Sequence, residues 1–166
     1  MRKLKIYLET TVFNYYFDED RDAHADTVQL IEAVRRGEFE AYTSNVTIEE
    51  LERAPAQKRD KMLSLLYGLP IQILYSDDEA ETLTELYIKQ GFITQNSRTD
   101  ALHIAVASTH KIDTIVSLNF QHIAKRRTRI GVKYVNELYF YPVLMILTPT
   151  EVIVNENFDK KTRYHH

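Results

Sequence analysis

The chain has 166 residues and a net charge of −3, from 21 Lys and Arg against 24 Asp and Glu. With 44% hydrophobic and 27% charged residues it has ordinary globular composition at the length of one domain, which excludes disorder and collagen-like repeats. It contains no cysteine, so disulfides, zinc–thiolate centres and cysteine nucleophiles are excluded, as fits a reducing cytoplasm.

Leu4–Leu8 is apolar with β-branched and aromatic members and predicts a buried strand. Thr10 and Thr11 follow, then an aromatic cluster (Phe13, Tyr15, Tyr16, Phe17) and a charged loop over 18–22. Val28, Ile31 and Val34 recur at helical spacing between Asp26 and Arg36, with Gly37 as the stop. A strand over Phe39–Thr43 and a helix from Ser44 to Arg53 come next, broken by Pro55. Ala56–Tyr67 predicts another helix, Ile71–Tyr75 a strand. Ser76 and Glu79 have the form of a capping box for a helix running to Gly91. Ser97–Asp100 is a second cap-like start, for a helix to His110. Ile112–Ser117 is a strand, Val132–Phe140 a helix, and Val143–Leu147 a last strand ended by Pro149. Residues 1–154 then form one domain and 155–166 a tail that includes the terminal histidines. No segment is apolar and long enough for a membrane span, and residues 1–5 lack the apolar core of a signal peptide. Alternating strands and helices predict an α/β fold, a three-layer α/β/α sandwich around a mostly parallel sheet.

In such sheets sites form beyond the carboxyl ends of the strands. Glu9 ends the first strand, Glu49 and Glu50 lie in the helix after the second, Asp100 opens a helix, and Asn119 follows the strand Ile112–Ser117. Taken singly, each has a bland reading: surface acid, helix-dipole acid, cap or turn residue. Together they form a hard-oxygen set that suits Mg²⁺ or Mn²⁺, whose natural chemistry is phosphodiester hydrolysis. His103 lies one turn after Asp100 but reads as a packing histidine, and His122 as partly buried. Lys125, Arg126, Arg127, Arg129 and Lys133 form a basic run without an acid among them, either a solvated helix face or a contact for backbone phosphates. Gly-rich phosphate loops and the Gly-x-Ser-x-Gly elbow are absent.

Four segments carry a resemblance. Ile6-Tyr7-Leu8-Glu9-Thr10-Thr11, Ser44 through Leu51, Asp100-Ala101-Leu102-His103-Ile104-Ala105 and Val116-Ser117-Leu118-Asn119-Phe120 stand in the order and spacing of PIN-domain motifs. The chain resembles PIN domains over about residues 4–154; these are metal-dependent ribonucleases that include the toxins of VapC-type toxin–antitoxin pairs. The resemblance implies that Glu50, not Glu49, acts with Glu9 and Asp100 in holding the metal. Asn119 completes the catalytic set, and the Thr11 and Ser117 hydroxyls support the carboxylates. It also implies a homodimer and an antitoxin partner, and the basic residues Lys125, Arg126, Arg127 and Arg129 would steer single-stranded RNA as substrate. Two positions depart from the family: Glu9 replaces the usual Asp, and Asn119 is neutral. They leave open a PIN fold that binds RNA or protein with weakened cleavage. A receiver-like domain lacks its Asp and Lys pairing.

Overall fold

A computed structural model describes residues 2–164. Five strands, β1 (Lys5–Leu8), β2 (Glu40–Ser44), β3 (Ile71–Leu74), β4 (Thr114–Val116) and β5 (Met145–Leu147), form one sheet in the order β3-β2-β1-β4-β5. Every neighbouring pair is parallel. The helices are α1 (Thr10–Tyr15), α2 (His24–Arg35), α3 (Asn45–Glu52), α4 (Ala56–Gly68), α5 (Asp78–Lys89), α6 (Arg98–Thr109), α7 (Arg126–Leu138) and α8 (Pro149–Tyr164).

β1 shows why both faces are covered. Ile6 and Leu8 point into one core with Val12, Leu30, Ile31, Leu51 and Val152, while Tyr7 points into the other with Ile104, Ile115, Val132 and Ile146. A parallel sheet buried on both faces needs such uninterrupted apolar strands. The expected three-layer α/β/α sandwich is therefore found. The chain lays β1, β2 and β3 in one direction, then returns to place β4 and β5 on the other side of β1. The reversal opens a crevice beyond the carboxyl ends of β1 and β4.

The elements differ from the sequence reading where polar residues hide the pattern. The helix expected over Val132–Phe140 begins at Arg126, because two of its buried positions are polar. Thr128 donates to the His122 carbonyl at 2.8 Å, and Asn136 accepts from the Tyr87 hydroxyl at 2.6 Å and donates to Ser108 at 2.9 Å. Pro149 does not end the chain's order but occupies the first turn of α8, where a missing N–H costs nothing. Thr148 caps that helix: its hydroxyl accepts from the Glu151 N–H at 3.2 Å, and Glu151 accepts from the Thr148 N–H at 3.1 Å. The expected tail from residue 155 is thus helical to 164, with Val152 and Ile153 in the core; His165 and His166 lie outside the described residues. Asp77, not Ser76, caps α5 by accepting from the Ala80 N–H at 3.0 Å, while Ser76 pairs with Asn45. Ser97 makes no cap bond to α6, which leaves Asp100 free of capping duty.

Gly131 lies on α7 where a Cβ would stand 2.3 Å from the ring of Phe92, itself packed against Tyr87. Helix propensity alone would favour alanine by about 1 kcal/mol. Overpacking a filled core costs about 1–3 kcal/mol, and at this distance it dominates. Gly131→Ala is expected to lower the midpoint of urea unfolding; an unchanged or raised midpoint would show that Phe92 can move aside.

Candidate functional site

Glu9 leaves the end of β1 with only 2% of its surface exposed. Its Oε1 accepts from the Thr11 hydroxyl at 2.5 Å, the Ser117 hydroxyl at 2.8 Å and the Thr11 N–H at 3.2 Å. Both hydroxyls bond twice, since Thr11 accepts from the Leu118 N–H at 2.8 Å and Ser117 from the Asn119 N–H at 3.0 Å. They bolt the loop after β1 to the loop after β4. Burial pushes the Glu9 carboxyl above its ordinary range, and nearby Glu50 adds to this; His103 and the two hydroxyls oppose it.

Glu50 reaches the same crevice from α3. Its Oε1 accepts from the Thr10 hydroxyl at 2.8 Å and from His103 Nε2. His103 comes from α6 and is fully buried. Its Nδ1 meets the Tyr7 hydroxyl at 2.7 Å, and that hydroxyl meets Ser44 Oγ at 2.6 Å. Ser44 in turn caps α3 by accepting from the Val46 N–H at 3.1 Å. Burial disfavours charge on both Glu50 and His103, but each stabilises the other's charge. The net direction is down for Glu50 and well up for His103. His103 Nε2 thus faces Glu50 with Tyr7 behind it, and the direction of both shifts favours the charged pair.

Asp100 stands in the first turn of α6, half-buried beside this group. Its Oδ1 accepts from the Asn119 side-chain amide at 3.1 Å, and Asn119 Oδ1 accepts from the His122 N–H at 3.1 Å. Burial raises the Asp100 carboxyl, with a further push from Glu50, against His103, His122 and Asn119.

Ligating atoms of Glu9, Glu50 and His103 lie within 4.8 Å of one another, and Asp100 with Asn119 forms an adjoining pair outside that set. Among the described residues every hydrogen bond to Glu9, Glu50 and Asp100 falls on one oxygen of each carboxylate. The second oxygens remain available. Glu9 and Glu50 supply hard oxygen donors within that set and Asp100 stands beside them, a donor chemistry that suits a divalent cation; burial and the charge of Glu50 hold the Glu9 and Asp100 carboxyls above their ordinary range. His103 spends both ring nitrogens on Glu50 and Tyr7, so it holds a carboxylate in place and is not itself a free donor. Glu49, by contrast, is exposed on the outer side of α3.

The sequence matches the PIN domain family model over residues 6–127. The chain belongs to the PIN-domain family. Its fold is similar to that of VapBC2 from Rickettsia felis, solved bound to a DNA fragment of its promoter, with a TM-score of 0.55, 14% identity, and coverage of 87% of this chain and 98% of that one. It is also similar to VapC20 of Mycobacterium tuberculosis, a toxin that cleaves the sarcin–ricin loop, with a TM-score of 0.56, 13% identity, and coverage of 70% and 92%. No curated protein matches the sequence.

In this PIN domain the basic run is divided by α7. Arg129 is closed on Glu151 through two bonds of 2.9 and 2.8 Å and also donates to the Ala124 carbonyl at 3.2 Å. It braces α7 against α8, so its guanidinium is already paired where the sequence reading sets it with the phosphate-facing run. Arg127 donates to the Gly91 carbonyl at 2.9 Å while remaining exposed. Lys125 and Arg126 form no ion pair among the described residues. His122 is half-buried, with Nδ1 3.2 Å from Ser97 Oγ. Sequence reasoning does not reach Thr10, Tyr7 and Ser44, and it reads as packing a histidine, His103, that bonds Glu50 and Tyr7. The available signal was a tyrosine at an inward strand position and a histidine three residues after Asp100.

Tyr7→Phe deletes the hydroxyl between Ser44 and His103 and leaves a buried ring nitrogen unpaired, a loss of about 1–3 kcal/mol in urea unfolding. The pH dependence of the metal-free protein follows from the signs. Stability from the depressed Glu50 carboxyl is present above the ordinary carboxylate range and fades as pH falls through its folded value. Stability from the raised His103 is complete below about 6.5 and fades as pH rises through its folded value. His103→Gln is expected to remove the alkaline decline; a variant that keeps the wild-type alkaline slope would show that His103 is neutral in the fold.

Proposed function

We propose that this PIN domain is a metal-dependent endoribonuclease that hydrolyses phosphodiester bonds of single-stranded RNA, and that it is the toxin of a type II toxin–antitoxin pair. The observation that carries the reading is the crevice at the strand reversal, where Glu9, Glu50 and Asp100 each keep one carboxylate oxygen unbonded. The likeness of fold to a toxin that cleaves the sarcin–ricin loop, and to a VapBC complex, supports RNA as substrate and an antitoxin as partner; a homodimer belongs to the same reading.

In this reading Glu9, Glu50 and Asp100 hold Mg²⁺ or Mn²⁺. Bound there, the cation supplies an activated water and neutralises charge on the phosphate. The chain's own residues do the rest. Thr11 and Ser117 fix Glu9, Thr10 and His103 fix Glu50, and Asn119 fixes Asp100 and lies beside it to orient the water. Lys125, Arg126 and Arg127 take backbone phosphates, positioning the strand without reading its bases. That no described helix is long and apolar enough to cross a membrane accords with a cytoplasmic protein. A second reading, a PIN fold that binds RNA or a protein partner with weakened cleavage, draws on Asn119, which sets an amide beside Asp100 where a further acid would add charge.

The test uses end-labelled single-stranded RNA with Mn²⁺, Mg²⁺ or EDTA, and an E50Q/D100N double variant as control for contaminants. Cleavage is expected only with metal and only in the wild type. Binding of RNA without cleavage in either metal would replace the nuclease with the binding module. Ser117→Ala, which frees Glu9 from one of its three donors, is expected to weaken activity about 10- to 100-fold. Glu9 and Asp100 have raised carboxyls, so their ionisation costs stability as pH rises through their folded values. Mn²⁺ is therefore expected to raise the melting temperature of the wild type at neutral pH and not that of the double variant.

A further inference from the structure

We propose that the cavity between α1, α3 and α4 is a base-binding subsite, and that it takes one unstacked keto-bearing RNA base, uracil or guanine. The inference rests on the RNA-cleaving reading above and adds to it the base that the site selects.

The cavity has a volume of about 220 Å³ and shares Glu50 with the carboxylate crevice. Thr10, which bonds Glu50 at 2.8 Å, also lies in its wall, so the two spaces meet at one carboxylate. α1 contributes Asn14, one helical turn beyond Thr10. α3 contributes Leu51, and α4 contributes Lys58 and Met62, again one turn apart. With Pro55 in the turn between those helices, Leu51 and Met62 make the walls apolar. Pockets for drug-sized ligands start at about 300 Å³. This smaller space suits one ring system, not a whole nucleotide or a peptide helix.

The side-chain amide of Asn14 points to a ligand. Its Oδ1 is buried and has no hydrogen-bond partner among the described residues. Buried polar groups are nearly always paired, so this amide is a cost to the fold that packing does not explain. Its Nδ2 makes no bond among the described residues either and, unlike Oδ1, is not fully buried. A carbonyl is left unpaired inside more readily than an N–H, so the amide keeps its donor for the cavity. Lys58 is exposed, forms no ion pair among the described residues and adds a cationic donor to the same space.

Two donors set against apolar walls match the carbonyl edge of a base. Uracil offers O2 and O4, and guanine offers O6 and N7. Cytosine and adenine put an amino group, itself a donor, in place of one of those acceptors. Bases splayed out of a single strand are read by this combination of apolar contact on the ring and hydrogen bonds at the edge. Because the cavity meets the crevice at Glu50, a strand whose phosphate sits at the carboxylates has an adjoining base to place in it.

Fluorescence anisotropy of short RNAs in EDTA reads base selection without cleavage. The probes are an oligoadenylate and the same strand with one central uridine, guanosine or cytidine. The uridine strand, the guanosine strand or both are expected to bind wild type about 10-fold more tightly than the other two, the worth of one hydrogen bond in a desolvated site. Asn14→Ala is expected to level the four affinities while holding or raising the midpoint of urea unfolding, because it deletes an amide that the fold leaves unpaired. Lys58→Ala is expected to narrow the gap between the strands as well as to weaken binding. Equal binding of the four strands by wild type, a preference for cytidine or adenosine, or no RNA binding overturns the proposal. So does a preference that survives both substitutions, or a midpoint lowered by Asn14→Ala, which would return that residue to a structural role. With Mn²⁺ added, cleavage is expected to follow the same preference. Selective binding without cleavage would sink the nuclease reading and leave the subsite standing; cleavage indifferent to the base would do the reverse.

Discussion

The buried carboxylate of Glu9 is the constraint on which the rest of the site depends. A negative charge with almost no access to water is costly unless donors converge on it. Here three donors do so, and two of them are hydroxyls whose own oxygens accept backbone N–H groups from the loop after β4. The same bonds that make the charge tolerable therefore hold the two strand ends in register. The compensation is incomplete, as the raised carboxyl shows. The remaining deficit favours a cation, so the fold carries a stability cost at the place where metal chemistry is proposed.

A second tie runs through the sheet. Tyr7 belongs to the core by its ring and to the site by its hydroxyl, linking the cap of α3 to His103 and hence to Glu50. Glu50 is thus held from both layers, by Thr10 at the start of α1 and by His103 in α6. The His103–Glu50 pairing favours the ionised Glu50 carboxylate against the repulsion of close acids across a low-dielectric crevice. The arrangement explains how a site with so many acids folds before any ion arrives.

Much of this was legible in the sequence, and the exceptions have physical causes. The apolar strand before Glu9, the small-residue helix after Asp100 and the turn at Asn119 are local patterns, and the structure places all of them at one rim. α7 is longer than its apolar spacing predicts because Thr128 and Asn136, although polar, are buried and satisfied by distant partners. α8 is not evident from spacing because a proline that ends a strand can also begin a helix, and only the Thr148–Glu151 pairing decides which. Arg129 looked like its basic neighbours until α8 brought Glu151 against it.

By itself the sequence determined the class of fold and the family, and singled out the acids proposed for the site, because strand and helix periodicity and short motifs are properties of neighbouring residues. The tertiary structure alone decided which oxygens stay free, that His103 bonds Glu50 and Tyr7 through its two ring nitrogens, and which arginines are already paired. These depend on pairs separated by tens of residues, such as Glu50 with His103 and Arg129 with Glu151. Charge and hydrogen bonding act through space over a few ångströms, and spacing along the chain does not encode that distance.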